Sequence, residues 1–87
     1  MLIEGQIISG EFDSTVNEFS LRKVKNVSTV TTIKENQLTN LYHYLKKHEN
    51  DIDGQIITLY DQIPILLTQE EVHLFLKDLD QVQSMYH

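Results

Sequence analysis

Residues 63–86 read IPILLTQEEVHLFLKDLDQVQSMY, and the change of period inside this stretch decides the fold. Ile63 to Leu67 is a short apolar run broken by Pro64. It suits an edge strand or a bulge, because proline has no N–H to give to a ladder. At Thr68 the pattern changes. Thr68-Gln-Glu-Glu71 matches a capping box, in which the threonine hydroxyl accepts a free helix N–H and the glutamate reaches back to the cap. Val72, Phe75, Leu76, Leu79, Val82 and Tyr86 then recur at helical spacing, which predicts an amphipathic helix.

Working back along the chain, Ile56-Ile-Thr-Leu-Tyr60 is a second apolar run, separated from Ile63 by Asp61-Gln62. The two runs predict a hairpin. Before them, Leu38, Leu41, Tyr42 and Leu45 follow the i, i+3, i+4, i+7 rule and predict a first helix. Its start is Thr32, through the box Thr32-Ile-Lys-Glu35, or else Asn36. Lys46, Lys47 and His48 suit the negative end of its dipole, and the polar segment Glu49 to Gly54 ends it.

In the N-terminal third, Leu2 to Phe12 alternates around Gly5 and Gly10, which fits a strand whose glycines mark a bulge or an end. Asp13-Ser14-Thr15 has turn chemistry, and Phe19 to Lys25 resumes the alternation, so these two strands are expected to form a hairpin. Val27 to Ile33 is either a third strand or the bent end of the second, with a bulge near Asn26. The order ββ(β)αββα gives an α+β fold, an antiparallel sheet of four to five strands covered on one face by two helices. Gly-Gln-Ile-Ile occurs at residues 5–8 and again at 54–57. The surrounding spacings differ, so coincidence is preferred to a duplicated ββα unit.

The 87 residues carry no long Pro/Gly/Ser linker and are expected to form one domain over 1–87. The absence of Cys removes disulfides, Cys-ligated zinc and thiol nucleophiles. No apolar run approaches the roughly 20 residues that a spanning helix needs, so a cytoplasmic protein with no membrane partner is expected. Ala is absent and Arg and Pro occur once each. Such scarcity of residues with GC-rich codons suggests an AT-rich bacterium, or a phage or other mobile element of one.

Metal, cofactor and nucleophilic chemistry have little support. Asp51-Ile-Asp53-Gly54 resembles the middle of an EF-hand loop, but Glu49 stands at the first position and Tyr60 at the twelfth, where a bidentate Glu is needed. His43, His48, His73 and His87 offer no i, i+4 pair for zinc. There is no Gly-x-Ser-x-Gly, no phosphate-cradling loop and no dinucleotide fingerprint. A triad of Ser20, His73 and Asp78 could be imagined in any chain of this composition. An enzyme is therefore not expected, nor a cofactor.

Charge and apolar pattern leave three binding readings. Thirteen acids against seven bases give a net charge of -6. Residues 1–48 hold five acids and six bases, and residues 49–87 eight acids and one base. Arg22, Lys23 and Lys25 beside Phe19 could form a nucleic-acid face, although net negative charge disfavours phosphate. Asp51, Asp53, Asp61, Glu70, Glu71, Asp78 and Asp80 could present an acidic mimic of DNA. In the second helix, Leu74 and Met85 widen the apolar stripe to about 200° of circumference, more than one sheet face covers. The favoured expectation is thus a small non-enzymatic protein-binding module, a regulator, inhibitor or accessory protein. Its protein partner or homodimer contact would lie at Leu74, Asp78 and Met85, with nucleic acid through Arg22, Lys23 and Lys25 as the alternative.

Overall fold

The structure, a computed structural model, describes residues 1–59 and 64–87. Asp61-Gln62, read as the turn of the last hairpin, lies outside the described residues, as do Tyr60 and Ile63. Among the described residues, six strands and two helices follow in the order ββββαββα: β1 (Leu2–Glu4), β2 (Ile8–Asp13), β3 (Glu18–Val24), β4 (Val27–Lys34), α1 (Glu35–Lys47), β5 (Gln55–Thr58), β6 (Pro64–Leu67) and α2 (Gln69–Gln83). The fold is α+β, with every ladder antiparallel. The first four strands form a meander in the order β1-β2-β3-β4, and β5 and β6 form a separate two-stranded sheet.

The stretch Leu2 to Phe12 is two strands rather than one. The chain turns at Gly5, whose N–H donates to Ile8 O at 2.8 Å, and β1 folds back on β2. Val27 to Lys34 is a strand in its own right, joined to β3 across Lys25-Asn26 with Val24 opposite Val27. Lys25 takes a positive φ of 57° in this turn.

Why the meander bends can be read in β3. Strict alternation from Phe19 and Leu21 would send Lys23 into the core and Val24 out. Instead the register passes over Arg22 against both neighbouring strands, so that Arg22 and Lys23 both stay exposed and Val24 is fully buried. One extra residue thus converts an unfavourable polar-in pattern into an apolar one. On the neighbouring strand the shift falls between Ser9 and Gly10, at one of the two glycines expected to mark a bulge or an end.

The inner face of the meander meets both helices and β6 in one core, whose fully buried members include Phe19, Leu21, Leu38, Leu45, Leu67 and Phe75. Tyr86 lies past the end of α2 rather than within it. It packs edge-on against Phe12 with ring centroids 5.0 Å apart, and its hydroxyl donates to Ile33 O at 2.7 Å. Burial pushes that phenol up to about 12.

The helix starts differ. At α2 the capping box forms as expected, with Glu71 N–H donating to Thr68 Oγ1 at 3.2 Å and Thr68 N–H to Glu71 Oε1 at 2.9 Å. At α1 neither Thr32 nor Asn36 is the cap: Thr32 is held in β4 opposite Ser20, and the helix begins after Lys34. Gln37 supplies the reach-back, its Oε1 accepting Lys34 N–H at 2.9 Å. Among the described residues no helix is long and apolar enough to cross a membrane.

Candidate protein-binding groove

Asp78, expected at a partner-binding surface, is instead inside the protein, 3% exposed. Its Oδ1 accepts Gln6 N–H at 2.8 Å, and its Oδ2 accepts Ile7 N–H at 2.8 Å and Ile8 N–H at 3.0 Å. Three successive amides of the β1–β2 turn thus wrap one carboxylate projecting from the middle of α2. Gly5 permits the close approach, since a Cβ there would overlap the Asp78 carboxyl group. The sequence signal was present: residue 78 falls within the buried face defined by Phe75, Leu79 and Val82, where an acid must find buried donors.

The rest of α2 is also largely used within the chain. It packs against α1, β2 and β6, so its wide stripe faces three neighbours rather than one sheet face. Leu74 is half-buried beside Ile7 and Gln6, and Met85 is half-buried against the core. None of the large apolar residues exposed among the described residues lies on α2.

The basic strand is divided rather than gathered. Arg22 and Lys23 are exposed at the bulge, but Lys25 turns the other way. Its Nζ lies 2.9 Å from Glu71 Oε1 and donates to Leu66 O at 3.0 Å. Glu71 is held below the usual carboxylate range first by the Thr68 N–H and then by Lys25. Of the acids, Asp78 is buried and Glu71 is engaged by Lys25. Asp51 accepts from Gln55 Nε2 at 3.0 Å and lies 2.9 Å from His48 Nδ1, and together with Gly54, at a positive φ of 74°, it shapes the turn from α1 into β5. The EF-hand-like residues are thus built into a turn, and among the described residues no group of three His or acidic side chains could hold a metal ion.

What sequence reasoning missed is a groove of about 470 Å³ between the two sheets. One wall is β4 at residues 31–33, the other is residues 56–59, and Gln37, Leu41 and Tyr44 of α1 form the floor. Gln37, Leu41 and Tyr44 are spaced i, i+4, i+7, a second stripe beside the buried pair Leu38 and Leu45. Tyr44 is 45% exposed and Ile56 60% exposed. Leu66, opposite Ile56 in the ladder, is 57% exposed and extends the apolar surface over the hairpin. No described residue lining the groove is charged. At one end the Tyr44 hydroxyl donates to Gln55 Oε1 at 2.8 Å, and Gln55 in turn holds Asp51, so the helix end, the turn and β5 are tied together. The floor is therefore fixed while the opening stays apolar.

Comparison with family models, curated proteins and solved structures finds no match for this chain.

Proposed function

We propose that this protein is a non-enzymatic protein-binding module, a small regulator, inhibitor or accessory factor, which receives its partner in the groove between β4, α1 and β5. The observation that carries this reading is a concave, uncharged surface on which Tyr44 and Ile56 stand exposed. A domain of this size has little stability to spare, and leaving large apolar groups in water is unfavourable unless a partner covers them. An aromatic side chain with a fixed hydroxyl is also the kind of anchor that dominates binding energy at interfaces. The volume lies within the range of sites that accept a few side chains of a ligand.

The test is affinity capture from a lysate of the source organism, run side by side with the wild-type chain, Tyr44→Glu and Ile56→Glu. Both positions are exposed, so both variants are expected to keep their circular dichroism spectrum. A protein retained by the wild type and lost by both folded variants is the expected result. A partner held equally by all three chains would place the interface elsewhere and overturn the reading.

A further inference from the structure

The helices pack on the inner face of the four-stranded sheet, and residues opposite each other in a ladder share a face, so the register identifies what stands on the outer one. One outer row is Leu2, Glu11, Ser20 and Thr32, and the next is Glu4, Ser9, Lys23 and Ser28. Charge is divided across this face. β1 and β2 present Glu4 and Glu11, both exposed, and no base. On β3 the bulge leaves the consecutive bases Arg22 and Lys23 both exposed. Asp13 is used in the following turn, where it accepts Thr15 N–H at 2.9 Å, and Glu18 and Lys34 stand opposite each other and offset one another. The apolar relief is divided in the same sense. Leu2 of β1 is 69% exposed, and Val30 of β4 is 81% exposed beside a hollow of about 400 Å³ that Glu18, Thr32, Lys34 and Gln37 also line. A knob and acids therefore occupy one half of the face, a hollow and bases the other.

We infer that the outer face of the sheet is the contact between two copies of this chain, stacked face to face. A surface whose halves complement each other satisfies itself in a twofold dimer. With the axis between the two faces and along the strands, midway between β2 and β3, β1 and β2 of one copy lie over β4 and β3 of the other. Positions along the strands are kept, so Leu2 comes over Thr32 and the hollow beside it. Glu4 and Glu11 meet the half that carries Arg22 and Lys23, and each contact is made twice. An axis across the strands would set acids on acids, so the charge pattern selects the orientation as well as the occupant. The same acids repel the phosphates of a nucleic acid. Four strands about 4.8 Å apart and about seven residues long give a plane of about 400 Å² per copy. That is the low end of specific contacts, so the dimer is weak and reversible, with a dissociation constant of about 10 to 500 μM. Tyr44 and Ile56 are not part of this face, and the inference stands apart from the partner-binding reading above.

The test is sedimentation equilibrium of the untagged full chain from micromolar to millimolar concentration, with two charge-reversed variants. Arg22→Glu with Lys23→Glu makes both halves of the face acidic, and Glu4→Lys with Glu11→Lys makes both basic. All four positions are exposed, so both variants are expected to keep the circular dichroism spectrum of the wild type. The wild type should dimerise, and each variant alone should associate about tenfold or more weakly, because like charges then meet in both contacts. Mixed in equal amounts, the two variants should form a one-to-one dimer at least as strong as that of the wild type, since acidic halves then meet basic ones throughout. This recovery also shows that neither variant lost association by unfolding. Leu2→Glu should weaken the wild-type dimer by a similar factor. A wild type that stays monomeric to millimolar concentration overturns the inference, as does a dimer that both charge-reversed variants form unchanged. Two variants that fail to associate when mixed overturn it too. A dimer lost in Ile56→Glu but kept by the sheet-face variants would place self-association in the groove and overturn it as well.

Discussion

At the scale of single residues, Asp78 is the side chain on which most depends. Its carboxylate satisfies three consecutive amides of the β1–β2 turn from the middle of a buried helix face. Hydrogen bonds to a charged group contribute more than neutral ones, and removing the acceptor leaves donors without partners. Asp78→Ala should therefore cost about 3 kcal/mol or more. Asp78→Asn, which keeps the size but turns an NH₂ toward at least one N–H, should also be clearly destabilised. Urea titration of both variants measures this, and wild-type midpoints would contradict the role given to Asp78. Tyr86 gives a prediction in pH. Its phenol is raised from 10.0 to about 12 by burial, so the folded state favours the neutral form. The unfolded chain releases the proton first, and stability conferred by Tyr86 is present below pH 10 and is lost as pH rises from 10 toward 12. Tyr86→Phe should lose about 1 kcal/mol at neutral pH, the hydrogen bond to Ile33 O, and should show a shallower alkaline decline. An unchanged alkaline profile in thermal melts of the variant would assign that decline to other groups.

At the scale of elements, the two Thr-x-x-Glu segments look alike in sequence and behave differently. Thr68→Ala should destabilise by about 1 kcal/mol, because the hydroxyl caps α2. Thr32→Ala removes no cap, since Thr32 is an exposed residue of β4, and should change stability by no more than about 0.5 kcal/mol. Denaturant melts of the pair separate the two, and equal losses would contradict the assignment of the α1 start to Lys34. This contrast shows where sequence reading succeeds. α2 was legible because its cap, period and preceding proline agree with one another. The Thr32 box was overridden by a non-local demand, the pairing of β4 with β3 through Ser20. The division of residues 2–12 into β1 and β2 was only partly visible. Gly5 signalled an interruption, but its reason, a carboxylate more than seventy residues away, lies in tertiary packing.

At the scale of the whole molecule, the α+β class, the antiparallel pairing and the order of elements follow from local periods and turn chemistry. Where the last hairpin sits does not. Nothing local in β5 or β6 says whether they extend the first sheet or stand apart from it. That single choice creates the groove, whose walls and floor come from three separate segments. The wide apolar stripe of α2 is met in the same way, by α1 and β6 as well as by the sheet at β2. The large apolar side chains left exposed include Tyr44 and Ile56 rather than Leu74 or Met85, and Asp78 passes from surface to interior. The most direct measurement of the central claim is a calorimetric titration of the captured partner into the wild-type chain and into Ile56→Glu, at two or more temperatures. Binding to the wild type with a negative heat-capacity change, as apolar burial requires, and at least about tenfold weaker binding to the folded variant is the expected result. Equal affinities for the two chains would contradict a binding groove between β4, α1 and β5.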